Sequence, residues 1–200
     1  IYTLSLHDAL PISFQLLPQP QSIELTSGKG INYWELSYIL SSDTTSIPIL
    51  GDMLNKLPRC PRKGKPIRLQ LTSQHVPASP EGYMMEINEK GVCISARTMT
   101  GIFYGSQTLE QLMEDSRDFN ILIPAMLIID YPAISYRAVH FDVKHHLDRM
   151  EYYYQEIDKL ARYKINAVIW ELEDKLRYTR RPEIGAPNAI SKDRKSTRLN

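Results

Sequence analysis

The chain has 200 residues, with 24 Lys or Arg against 23 Asp or Glu and a formal net charge of +1. Such a balance leaves no basic footprint for a polyanion, so no nucleic-acid partner is expected, and no apolar run is long enough to span a bilayer. The length and the 42% hydrophobic content suit one complete domain and part of a second.

The two ends are set aside first. Ile1 to Ile12 (IYTLSLHDALPI) and Asp193 to Asn200 (DRKSTRLN) resemble reading-frame translations of sequencing adapters. Residues 1–13 and 193–200 are therefore expected to be non-native tails without fold information; native disordered tails are the alternative, and the functional reading is the same. Without Asp8, Asp193, Arg194, Lys195 and Arg198 the charges of the remainder balance. With the true N-terminus expected to be missing, neither a signal peptide nor a compartment is read.

Phe14 to Pro20 (FQLLPQP) is an extended, proline-punctuated opening, and Ser22 to Thr26 alternates as a short strand before the Gly28 to Gly30 turn. A second extended piece lies near Tyr38 to Leu40. Ile47, Leu50, Met53, Leu54 and Leu57 recur at helical spacing and predict an amphipathic helix. Arg59 to Lys65 follows as a basic loop, read as a solvated turn because no aromatic side chains interleave its charges. Cys60 stands in that loop and Cys93 in a strand, where it is expected to pack in the core. Two cysteines say little about redox compartment, and neither is flanked by a base that would make a thiol nucleophile.

Gly82 to Asn88 and Val92 to Ala96 predict a hairpin, with Gly91 available for positive φ in the connection. Ile67 to Thr72 is a third strand beside it. Thr98 to Glu114 (TMTGIFYGSQTLEQLME) reads as a helix that places Ile102, Gly105, Leu109, Leu112 and Met113 on one face. Gly101 and Gly105 are unfavourable inside a helix, and close packing on a sheet is the simplest offset.

From Tyr136 to Asp174 the pattern is strand, helix, strand. Ala138, His140 and Asp142 alternate with Val139, Phe141 and Val143; Tyr153, Ile157, Leu160 and Ala161 have helical spacing; Ala167 to Glu173 is extended again. One βαβ unit follows from this order, and in a barrel of such units the chemistry collects at the C-terminal ends of the strands. His140, Asp142, His145 and His146 lack a metal-ligand spacing of known type, so no metal is expected.

Gly101, Phe103, Tyr104, Gly105, Gln107, Thr108, Leu109, Gln111 and Leu112 resemble the G-x-F-Y-G-x-Q-T-L-x-Q-L helix of the N-terminal α+β domain in glycoside hydrolase family 20, the β-N-acetylhexosaminidases. Leu16 to Gln21 is similar to that domain's opening. Ile129-Asp130-Tyr131-Pro132 with Tyr136-Arg137 resembles the family's D-x-P-x-x-x-x-R-G lead-in to the first barrel strand, with Ala138 in place of Gly. Asp142 and His146 match the family's D-x-S-R-H, whereas Lys144 and His145 depart from it. Tyr163 to Asn166 is similar to the K-x-N segment before the second strand. Trp170 to Asp174 (WELED) replaces H-W-H-L-T-D-D and, with Pro182 to Pro187, looks like the hexosaminidase-D-like branch.

The resemblance implies an α+β N-terminal domain over 14–132, an antiparallel sheet with helices on one face, followed over 133–192 by the first βαβ unit of an incomplete (β/α)8 TIM barrel. It implies an exo-acting β-N-acetylhexosaminidase that removes terminal N-acetylglucosamine or N-acetylgalactosamine from glycans, with no cofactor. In that mechanism the substrate's own acetamide is the nucleophile and an adjacent Asp-Glu pair orients it and supplies the proton. The pair belongs to the fourth barrel strand, and Tyr136 to Lys192 is far shorter than the roughly 250 residues of a closed barrel. No catalytic residue is therefore expected in this chain, which is read as a fragment without hydrolytic activity.

The substrate-binding residues the resemblance implies are Arg137, for sugar hydroxyls, with Asp174, Glu171 and His146. From the residues alone, Arg137 could as well pair with Asp130 or Asp142. Trp170 fits a sugar pocket or a barrel filling equally well. Glu171 and Glu173 are expected on one side of a strand, where like charges raise a pKa, but neighbours on one strand cannot flank a glycosidic bond as a catalytic pair does. The alternatives are a non-catalytic carbohydrate-binding or scaffold module and a relative from the O-GlcNAc hydrolase family. The latter expects G-x-x-E-G-F-Y-G in the first strand, which Tyr136 to Asp142 lacks.

Overall fold

The computed structural model describes residues 14–42, 55, 64–144 and 146–191. It forms two compact units, one up to Ser135 and one from Tyr136. Both tails, Cys60, His145 and, apart from Asn55, the helix expected over 47–57 lie outside the described residues.

The first unit is built on a six-stranded sheet of β1 (Ser22–Leu25), β2 (Leu36–Ser41), β3 (Lys65–Leu71), β4 (Tyr83–Asn88), β5 (Gly91–Ala96) and β6 (Met126–Asp130), in the order β1-β6-β4-β5-β3-β2. The sheet is mixed, which corrects the antiparallel expectation. β4 pairs antiparallel with β5 and β6, and β1 antiparallel with β6, but β3 runs parallel to both β2 and β5. The cause is which hairpin strand β3 joins. It pairs with β5, the returning strand, so its direction repeats, and its link from β2 is long enough for a crossover.

The hairpin turns through Glu89 and Lys90, with the Lys90 amide donating to the Asn88 side chain at 2.9 Å. Gly91 has φ +135°, and a Cβ there would stand 2.3 Å from the Pro66 carbonyl oxygen. Only glycine meets both demands.

Helix α1 (Met99–Phe119) covers one face of the sheet. Thr98 caps its start by accepting from the Gly101 amide at 3.2 Å, and Asn120, left-handed at φ 52°, ends it beyond the expected Glu114. Ile102, Leu109 and Leu112 are fully buried against Tyr83, Met85, Ile87, Val92 and Ile94; each such side chain contributes roughly 1.5–3 kcal/mol of transfer free energy. Close packing also accounts for the helix glycines. A Cβ at Gly101 would meet the Gly82 carbonyl oxygen at 2.4 Å, and one at Gly105 the Ile94 Cγ2 at 2.6 Å.

Cys93 does not pack in that core. Strand alternation puts it on the sheet face away from α1, half-buried and 3.7 Å from the Ser95 hydroxyl.

The opening segment is fastened to α1 by Gln111, whose side chain accepts from the Leu17 amide at 2.9 Å and donates to the Leu17 carbonyl at 2.8 Å. The Gln15 amide adds a bond to Asp115 at 3.0 Å. Beneath them the Tyr83 and Thr108 hydroxyls share a buried 2.6 Å bond.

The second unit begins with a parallel pair, β7 (Ala138–Asp142) and β8 (Ala167–Glu171), joined by helix α2 (Met150–Arg162). Phe141 and Trp170 are cross-strand partners and meet Tyr153 of α2, with ring centroids 5.0 to 5.9 Å apart. That triad is the packed side of the unit. By alternation, Ala138, His140 and Asp142, with their partners Ala167, Ile169 and Glu171, occupy the opposite face. None of the described helices is long and apolar enough to cross a membrane.

Candidate sugar site at the strand ends

The last rung of the parallel pair sets two carboxylates side by side, Asp142 opposite Glu171. Like charges directly opposite each other are unfavourable, and the chain answers with Lys144. Its ammonium lies 3.0 Å from Asp142 Oδ2 and 3.0 Å from Glu171 Oε1, while its amide donates to Asp142 Oδ1 at 3.3 Å. The hydrogen bonds it donates to Glu171, then to Asp142, raise the Lys144 pKa above the usual lysine range. The other Glu171 oxygen stands 3.1 Å from His140 Nε2. The Val143 amide bonds the Glu171 carbonyl at 3.1 Å and carries the pairing one step past the strand end.

Of the four residues expected to bind sugar, only Glu171 belongs to this cluster. Asp174 lies just beyond β8 in a short 3-10 turn, Glu173–Lys175; its carboxylate takes the Lys175 ammonium at 2.8 Å and its carbonyl accepts from Ala186. His146 Nε2 is 3.3 Å from Asp148. The histidines at 140 and 146 thus attend different carboxylates.

Arg137 is at the other end of β7. Its Nε donates to the Lys164 carbonyl at 2.7 Å, its amide to the Asn166 side chain at 2.9 Å, and its carbonyl accepts from the Asn166 and Ala167 amides. Lys164 holds its carbonyl there by turning left-handed at φ 59° after α2. The structure does not bring Arg137 to the cluster.

Two further expectations change. β8 ends at Glu171, Leu172 turns helical and Glu173 has φ 43°, so Glu171 and Glu173 do not share a strand face. Trp170 faces α2 in the aromatic triad and acts as packing. Lys144 lies in the strand-end stretch where chemistry is expected but is not among the four residues expected to bind sugar. Its signal was a cation two residues past Asp142, visible as a site residue only once β7 and β8 are known to pair in this register.

An open groove of about 450 Å³ beside α2 is lined by Asp148, Met150, Tyr154, Asn188 and Ile190.

Comparison with known proteins adds the following. A family model described as glycosyl hydrolase family 20, domain 2, matches residues 13–131. A β-hexosaminidase of Porphyromonas gingivalis is 36% identical over 124 residues, covering 56% of this chain and 16% of that protein. A β-N-acetylhexosaminidase of Cellulomonas fimi is 27% identical over 175 residues, covering 80% of this chain and 34% of that protein. Among solved structures, a variant β-hexosaminidase of Streptomyces plicatus in complex with its product, GlcNAc, is similar with a TM-score of 0.67 and 26% identity. That match covers 84% of this chain and 37% of the solved one. The chain therefore spans from about a sixth to about a third of the length of these curated relatives. With more than half of its residues matched by that model, the chain belongs to glycosyl hydrolase family 20.

Proposed function

We propose that this chain is part of an exo-β-N-acetylhexosaminidase, hydrolysing terminal N-acetylglucosamine or N-acetylgalactosamine from glycans by substrate-assisted retention, without a cofactor. The observation that carries the reading is the carboxylate rung at Asp142 and Glu171. It lies at the C-terminal end of a parallel βαβ pair, on the face away from the helix, where barrel enzymes gather their chemistry. A carboxylate held from several sides is a preorganised acceptor for sugar hydroxyls.

In this reading Glu171 contacts the sugar, with Asp174 and His146 in the loops around it. Arg137, at the opposite end of β7 and bonded through Nε to the Lys164 carbonyl, lies outside this contact. The orienting aspartate and the proton-donating glutamate belong to a later barrel strand, so residues 1–200 alone leave the glycosidic bond intact.

The experiment pairs binding with turnover on the 200-residue polypeptide. GlcNAc should shift the amide resonances of Asp142, Lys144 and Glu171, with the shifts lost in Glu171→Gln, while a nitrophenyl N-acetylglucosaminide releases no nitrophenol. Release of nitrophenol overturns the assignment of the acid to a later strand. Absence of sugar-dependent shifts overturns the site.

A further inference from the structure

We infer that Lys144 is a positioning residue of the sugar site: its ammonium spans Asp142 and Glu171 and turns both carboxylates toward one point, as a paired acceptor for two neighbouring sugar hydroxyls. This rests on the reading of the strand ends as a sugar site.

Three observations converge on it. The ammonium is equidistant from its two carboxylates, at 3.0 Å each, and the Lys144 amide returns to Asp142, so backbone and side chain hold the same acid. Glu171 is held through both oxygens, by Lys144 on one and His140 on the other, which leaves its side chain little rotational freedom. Lys144 and Glu171 are also both departures from the family motifs quoted above, and they meet each other. An ordinary surface ion pair between long side chains contributes little and is loosely placed. Here one ammonium serves two carboxylates on adjacent strands, the network case in which geometry is enforced. Among the described residues, Asp142 from β7 and Glu171 from β8 hold the ammonium and His140 holds the other Glu171 oxygen; Asp174 and His146 have their own partners in Lys175 and Asp148.

Chemically, each carboxylate retains lone pairs beyond those taken by the ammonium. Two acceptors set side by side at strand spacing suit hydroxyls on neighbouring ring carbons. The ammonium offsets one of the two negative charges of the pair.

The test uses the 200-residue polypeptide with Lys144→Met, Lys144→Arg and Glu171→Gln, each checked for an unchanged circular dichroism spectrum. Two readouts are taken. In amine acetylation followed by mass spectrometry, Lys144 should react several-fold more slowly than the exposed Lys90, and Glu171→Gln should remove that protection. In GlcNAc titration by NMR, Lys144→Met should weaken binding about tenfold, the loss of one charge-assisted hydrogen-bond network, while Lys144→Arg stays within about threefold. Unchanged Lys144 reactivity in Glu171→Gln, or a Lys144→Met variant that binds as the parent does, overturns the inference. If the parent gives no GlcNAc shifts at all, the sugar-site reading fails instead, and the acetylation rates alone decide whether Lys144 holds the carboxylates.

Discussion

Replacing Gly101 by Ala tests the packing of α1 on its sheet, because two opposed effects of known size meet at that position. In an exposed helix the substitution stabilises by about 1 kcal/mol. Here the added Cβ would stand 2.4 Å from the Gly82 carbonyl oxygen and 2.7 Å from Ala96 Cβ, where ordinary contact begins at 3.4 Å. Both obstacles belong to the sheet or its approach, one of them backbone, so the helix must lift by about 1 Å over its most buried stretch. Overpacking of this kind costs about 1–3 kcal/mol, the upper end applying when no side chain can rotate away. The net expectation is a loss of about 2 kcal/mol, read as a fall of about 1 M in the urea midpoint of the helical circular dichroism signal. Gly105→Ala is the internal control. Its nearest obstacles are the Ile94 methyl at 2.6 Å and the Tyr83 ring at 3.1 Å, which can yield, so its loss should be smaller. A Gly101→Ala protein as stable as the parent, or more so, would refute the packing argument.

Three further outcomes are expected. Gln111→Ala removes both bonds to Leu17 and should cost about 1–2 kcal/mol, with amide exchange at Leu17 rising to the rate of an open chain. Trp170→Ala breaks the triad with Phe141 and Tyr153; because Trp170 is only half-buried the loss should be about 2–3 kcal/mol, below the fully buried range, and near-ultraviolet circular dichroism should collapse. The Tyr83 phenol is pushed well above its usual range, first by burial and then by the negative charge of Asp130. The folded chain therefore keeps a proton that the unfolded chain releases above about pH 10, so this stabilisation is complete below pH 10 and declines as pH rises toward the folded value. Ultraviolet titration should show one tyrosine ionising only with unfolding, and Tyr83→Phe should abolish that step.

The sequence announced local features well. The glycines of α1, the Gly91 turn and the βαβ order of the second unit each follow from a residue type that can be there for one physical reason. Strand direction was not legible in the same way. Nothing in Ile67 to Leu71 distinguishes pairing with β5 from pairing with β4, since both bury the same alternate side chains. Cys93 was misplaced because it sits among apolar neighbours on a strand whose outer face is itself half-covered. At the site, Glu171 was visible as an odd carboxylate in an apolar strand, whereas Lys144 acquires meaning only through a cross-strand rung 27 residues away. Trp170 had the composition of a sugar platform and the alternation of a packing residue, and the alternation decided it.

The first strand has a consequence for how this polypeptide is made. Ser22 to Leu25 pair with no strand but Met126–Asp130 among the described residues, and Leu17 is bound by a helix residue 94 positions further on. As the chain leaves the ribosome, Leu17 and Ser22 to Leu25 must wait for these partners until about a hundred more residues have followed. Stalling or cleavage before Asp130 would strand an extended segment with Ile23 uncovered, a species suited to chaperone capture rather than to productive folding.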